Sequence, residues 1–342
     1  MSGFPTPHLE KLTAAHQNDK LPACDKPRIE LAIQQYHGWI KALDAVPGET
    51  AEQRLENLVA LLNEYRLWVD VELIFDSEDN FLYRQKGQLK LDNSIIEEFL
   101  PRLVHPSILP ELAGFDVAVG PAKCFSALYF ESSLDVPEIG GGMTIRTKAQ
   151  DFAVSKKVHL KAAHGSDFKD AVTKDVFIAY VVSECKTNLD KTMFQEACAT
   201  AHDVKSAVSG ARYYLLCEWL DMTPVSTAAT DVDEVIILRK SKRLGSNVRG
   251  NFGSVKGRKD HRPQYLKFLT DNPLRVEMFQ RFLGHVRGLL QSERPVESDV
   301  LSKGFSSRRA THRSGVASFL PPQRFRRPGR VTAHPRVAVA LL

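Results

Sequence analysis

The sequence predicts an α/β protein, a sheet flanked by helices behind a mostly helical N-terminal region. Three observations predict it. Apolar residues recur at three- and four-residue steps up to about residue 110, short apolar runs replace them from about residue 117, and those runs come in the order strand, strand, strand, helix, strand.

The elements follow in order. Residues 1–27, rich in Pro, His and Lys, read as a loose lead-in. Ile29, Ile33, Tyr36, Ile40 and Leu43 form the stripe of an amphipathic helix, which Pro47 and Gly48 end. Thr50 followed by Gln53 reads as a capping box opening a second helix, with Leu55, Leu58, Val59, Leu62 and Tyr65 on one face. Ser94 and Glu97 repeat that device before Pro101.

Residues 124–130 then read as a strand, and residues 138–142, Glu-Ile-Gly-Gly-Gly, as a flexible turn that lacks a phosphate-loop pattern. Phe152, Val154, Val158 and Leu160 alternate with period two, which places Asp151 at the mouth of a second strand. Residues 176–186, Val-Phe-Ile-Ala-Tyr-Val-Val-Ser-Glu-Cys-Lys, are an apolar, β-rich run that ends in two charges. Asn188 can cap a helix carrying Met193, Phe194, Ala197, Ala201, Val204 and Val208, closed by Gly210. Two further strands at 212–220 and 234–238 and a helix at 274–290 complete the folded part. The expected organisation is a helical region at 1–110, a core at 111–293 and an unfolded basic tail at 294–342.

At 342 residues the chain suits one large domain or two smaller ones. No apolar leader follows Met1, and no run approaches the ~18 apolar residues of a membrane span, so a soluble protein with no membrane partner is expected. The five cysteines are odd in number, scattered and without CxxC spacing, which excludes a disulfide framework or a zinc site and fits a reducing cytoplasm. The net charge of +5 is unevenly placed. From Leu301 onward there are nine Lys/Arg and no Asp/Glu, so the first 300 residues carry 37 basic against 41 acidic side chains, a net of −4. Nucleic acid would therefore be bound by a local patch rather than a diffuse field. The patch on offer is 239–262, where Arg239, Lys240, Lys242, Arg243, Arg249, Lys256, Arg258, Lys259 and Arg262 face Asp260 alone, interleaved with four glycines. It reads as a phosphate clamp, or else as a solvated loop. The tail reads as the product of a frameshift or read-through, or else as a DNA-binding arm.

Side chains in a strand alternate faces, so Glu184 and Lys186 project from one face about 7 Å apart. An acid and an amine so placed suit metal-assisted phosphodiester hydrolysis, although a solvated ion pair at a strand end has the same spelling. Asp151 on the preceding strand is the candidate second acid, 33 positions before Glu184, with Asp167, Asp170 and Asp175 as competitors. Gln195 and Glu196 on the following helix read as a solvated face rather than as ligands. His159, His164 and His202 lack ligand spacing, and no Gly-x-Ser-x-Gly or His-Glu-x-x-His pattern occurs. Cys185 faces away from its two neighbours and reads as a structural thiol.

Strand order, Asp151 and Glu184-Cys185-Lys186 together resemble the PD-(D/E)XK nuclease core. More specifically, three segments look like the type II restriction endonucleases of the Bpu-ten-I and BbvCI kind: Gln-Asp-Phe-Ala-Val-Ser-Lys-Lys-Val-His-Leu-Lys, Glu-Cys-Lys-Thr-Asn-Leu-Asp-Lys-Thr-Met-Phe-Gln-Glu and Ala-Arg-Tyr-Tyr-Leu-Leu-Cys-Glu-Trp-Leu. Gln150 departs from that pattern, standing where a proline is usual. The resemblance implies a restriction-endonuclease-like mixed sheet and a heteromeric enzyme. Each of its subunits would cut one strand of double-stranded DNA at an asymmetric, CCTNAGC-like site, leaving a 5′-phosphate, and the partner would be a second, related nuclease subunit. On that basis Asp151 and Glu184, with the backbone carbonyl of Cys185, are the expected Mg²⁺ ligands. Lys186 is expected to orient or deprotonate the attacking water and to offset charge on the phosphorus. A non-catalytic recognition or assembly subunit on the same fold is the alternative, and a repair or junction nuclease a third.

Overall fold

The computed structural model describes residues 3–290 and 297–303. The helical region contains α1 (Pro7–His16), α2 (Lys26–Asp44), α3 (Ala51–Trp68), α4 (Phe81–Gln85) and α5 (Ser94–Leu103). Helix α1 corrects the expected loose lead-in. Pro7 at its first turn is pre-set for helical φ, and His8, Leu12 and Ala15 are buried, a stripe too short and polar to show in the sequence. The Thr50–Gln53 capping box opens α3 as expected. Ser94 and Glu97 form no such box. Ser94 Oγ donates back to the Lys90 carbonyl at 2.6 Å, and Glu97 accepts from Asn93 Nδ2 at 3.1 Å. Beyond α3 the chain widens into a π-helical segment, Val69–Phe75, buried except at Glu72. π-helical turns often sit at functional sites.

The sheet holds β1 (Ala118–Phe130), β2 (Met143–Ala162), β3 (Val172–Leu189), β4 (Arg212–Leu220) and β5 (Glu234–Lys242), in that spatial order. It is mixed. β1, β2 and β3 pair antiparallel in sequence, whereas β3, β4 and β5 run parallel, so β3 belongs to both halves. The parallel strands need crossovers, and α6 (Lys191–Ala207) supplies the one between β3 and β4. Its cap is Asp190, which accepts from the Met193 N–H at 2.9 Å, and not Asn188, which stays in β3 opposite Trp219. Asp151 lies well inside β2 rather than at its mouth, because β2 begins eight residues earlier, at Met143.

Burial on both faces explains why 212–220 reads as one apolar run. Tyr214 and Leu216 join Phe152, Val154 and Cys185 against the N-terminal helices and α9 (Val276–Leu290); Tyr213, Leu215 and Cys217 join Ala153 and Val182 against α6. The change of pattern near residue 110 is therefore a change of element inside one core. Residues 239–262, expected as a glycine-rich clamp or loop, fold as the end of β5, α7 (Ser246–Gly250) and the start of α8 (Val255–Asp271). Of the tail, the structure describes a short helix, α10 (Glu297–Lys303); the expectation for the remainder lies outside the described residues. Among those residues no helix is long and apolar enough to cross a membrane.

Candidate active site

Asp151 is aimed by an irregularity in the sheet. On β1, Gly120 pairs with Ala153 and Ala122 with Gln150, so Asp151 and Phe152 together stand against Pro121. Two residues opposite one is a β-bulge, and Pro121 has no N–H to give to a ladder. On the other side Phe152 pairs with Ser183, which brings Asp151 beside Glu184. Asp151 Oδ2 accepts the Cys185 N–H at 2.9 Å. Glu184 Oε1 lies 2.6 Å from Lys186 Nζ, and its Oε2 accepts the Tyr213 hydroxyl at 2.6 Å. The three charged side chains are 19–24% exposed, enough for a ligand to reach and little enough to limit screening.

The geometry decides among the acids. Asp175 pairs with Lys157 and His159, nine positions along β3 from Glu184, roughly 30 Å at strand rise. Asp167 pairs with Lys169 in the turn beyond, and Asp170 is exposed there. His164 bonds the Glu138 carbonyl and His202 pairs with Asp231.

Two groups missing from the sequence reading complete the cluster. Lys90 Nζ lies 3.6 Å from Asp151 Oδ1 and 3.5 Å from Glu97 Oε1. Its backbone is left-handed (φ 52°), a conformation held only where the surroundings impose it. Glu97 follows one turn into α5. No sequence signal marks the backbone of Lys90; Glu97 was visible, but as a capping residue. Three carboxylates and two ammonium groups thus share one site.

The electrostatics follow from burial and neighbours. Burial, then the nearby Asp151 charge, push the Glu97 carboxyl up to about 7, with Lys90 opposing. Burial works to lower Lys186, but its bond to Glu184 and the fields of Glu184, Asp151 and Glu196 outweigh it, so its pKa is raised and it holds its proton at neutral pH. Burial lifts the Cys185 thiol well above its ordinary value, an inert structural sulfur.

No group of three or more His, Cys, Asp or Glu side chains is arranged to hold a metal among the described residues. Asp151 and Glu184 alone fit Mg²⁺, which commonly takes one or two carboxylates and fills its shell with water and substrate phosphate. Hard oxygen donors close together, of which Asp151 adds to the burial that lifts the Glu97 carboxyl, are what a small divalent cation relieves.

The nine basic residues of 239–262 do not form one surface. Arg239, 4% exposed, is locked between Glu218 and Asp70 and stacks on Trp219. Arg258, 1% exposed, donates to the carbonyls of Phe75, Ser77 and Asp79. Both are corrections: these guanidiniums are fold anchors that DNA cannot touch. Arg262 pairs with Asp76 and Glu72, and Lys240 with Glu277. Arg243 and Arg249 share Asp221. Lys242, Lys256 and Lys259 are exposed.

The model of the family described as Bpu10I restriction endonuclease matches residues 88–306, a span that holds Lys90, Glu97, Asp151, Glu184 and Lys186. Among solved structures, the chain resembles one described as the native BbvCI A2B2 tetramer at low resolution. The two are 24% identical, the match covers 72% of this chain and 88% of that one, and the TM-score is 0.51. No curated protein is similar enough to count as a match.

Proposed function

We propose that this chain, which belongs to the Bpu10I restriction endonuclease family, is a catalytic subunit of a heteromeric, Mg²⁺-dependent type II enzyme. It would cut one strand of duplex DNA at an asymmetric, CCTNAGC-like site and leave a 5′-phosphate, with a second, related nuclease subunit cutting the other strand. The observation that carries this reading is the convergence of Asp151, Glu184 and Lys186, partly exposed, where the antiparallel and parallel halves of the sheet meet. In this reading they are the acids and lysine of a PD-(D/E)XK site, with Gln150 in place of the proline. A recognition subunit has no use for such a costly grouping of charge. The five free thiols fit work in a reducing cytoplasm.

Mg²⁺, when bound, would polarise the scissile phosphate and lower the pKa of its water. Asp151 and Glu184 would hold it, joined by the Cys185 carbonyl. The Cys185 N–H fixes the Asp151 carboxylate and the Tyr213 hydroxyl fixes that of Glu184. Lys186 would orient or deprotonate the attacking water and offset charge growing on the phosphoryl oxygens.

The test is plasmid DNA incubated with the full chain and Mg²⁺, alone and with the product of the neighbouring gene. Nicking alone, linearisation only with the partner, and neither with Glu184→Ala are expected. Undiminished cleavage by Glu184→Ala would overturn the active site. A double-strand break made by this chain alone at a palindrome would overturn the heteromer, and binding without cleavage in any combination would identify a recognition subunit.

A further inference from the structure

We propose that a cleft opening from the active site seats the sugar–phosphate backbone of the DNA strand beside the cut, with Arg84, Lys86, Arg243 and Arg249 as its phosphate contacts. This rests on the nuclease reading above. The cleft has a volume of about 610 Å³, and Lys90 and Lys186 line it, so it is continuous with the candidate active site. Arg84 and Lys86, from α4 and its C-terminal end, line it together with Arg243, just after β5, and Arg249 of α7. Neither Arg84 nor Lys86 falls within the residues matched by the family model, which begin at 88.

Charge balance leaves these four with positive charge to spare beside the cleft. Arg243 and Arg249 sit 2.9 and 3.7 Å from the same carboxylate, Asp221, which leaves one positive charge uncompensated. Arg84 is exposed, and its guanidinium donates to the Gly253 carbonyl at 3.1 Å, a neutral acceptor that leaves the whole charge available. Lys86 lies 4.0 Å from Asp92, too far for a tight pair. Deeper in, Arg66 is held by Asp70 and Glu218 and has no charge to spare. An excess of positive charge at the mouth, next to acids that would carry a divalent cation, selects a polyanion that runs past the site. Four cations lining one cleft suit phosphates of one strand. The cleft is too small to take in a duplex, so the bases stay outside it and the contacts carry no sequence information.

The test is binding of a short labelled duplex to the full chain without divalent metal, followed by anisotropy over a series of salt concentrations. Removing a single phosphate contact should lower the slope of log K against log salt by about 0.9. Arg84→Ala/Lys86→Ala and Arg243→Ala/Arg249→Ala should each reduce the slope by about 2 and the affinity at least about tenfold at 0.1 M salt. Lys267→Ala, on an exposed pair with Asp271 and outside the cleft lining, should change neither. Thermal unfolding checks the fold, and Arg243→Lys/Arg249→Lys, which keeps the charge, should restore the slope. Wild-type slopes in both alanine pairs would overturn the proposal, as would a wild-type chain that binds no better than they do. Unchanged slopes with nicking intact would sink the cleft alone; the expected slopes with no nicking would sink the nuclease reading alone.

Discussion

Lys186 and Glu184 were legible because a strand forces residues two apart onto one face, and the 2.6 Å contact between them is that rule made concrete. Lys186→Ala should lower the nicking rate by about 10²–10³-fold with duplex binding retained, measured in single turnover. Asp151 was legible only as one of four acids, since the bulge opposite Pro121 that aims it depends on a second strand. Lys90 was hidden because its role comes from a left-handed backbone, and Glu97 because its neighbour in space lies 54 positions away. The Glu97 carboxyl also sets a pH dependence. Its pKa is raised from 4.5 to about 7 on folding, so the native protein holds a proton that the unfolded chain gives up between those values. Its contribution to stability is full below pH 4.5 and lost as pH rises through 7. Glu97→Gln should therefore unfold at a higher temperature than the wild type at pH 8, by an increment worth about 1–3 kcal/mol, and the two should converge at pH 4.5. Equal melting curves at pH 8 would count against a buried, proton-holding Glu97.

Among elements, strands and long helices were read well wherever an apolar period ran for several turns, as in α2, α3, β3 and β4. The misreadings share a cause. In α1 and in residues 239–262 the helical faces are short and the buried groups are polar, so His8, Arg239 and Arg258 look solvent-facing until their partners are known. His8, for example, is walled in by Tyr65 and Ser94, and burial, then Arg66, lowers its pKa to about 3. Arginine spelling cannot separate an anchor from a clamp, but stability can. Arg239→Ala leaves Glu218 and Asp70 buried with one of their two shared arginines gone and should destabilise the fold by about 3–5 kcal/mol, read in denaturant titration. Arg243→Ala, at a partly exposed pair, should stay within about 0.5 kcal/mol. At the head of α6, Asp190→Ala should cost about 1 kcal/mol by removing the cap on the Met193 N–H.

For the molecule as a whole, composition and strand order were enough for the class, and the family resemblance supplied the mixed sheet. What they could not give was the way the helical region and the sheet are joined. The same apolar cluster runs from Leu12 through Phe99 to Tyr214 and Phe282. Through that cluster the charged quartet Arg66, Asp70, Glu218 and Arg239 ties α3 to β4 and β5. This quartet has a consequence during synthesis. Arg66 must wait for an acid 152 residues later, on the order of 10–30 s at ribosomal rates. Until then an arginine and an aspartate that belong in the interior must stay in water, and the first helices cannot close over them. A nascent chain arrested before Glu218 should therefore be cut readily by protease, and the same helices should become resistant together once β5 has emerged.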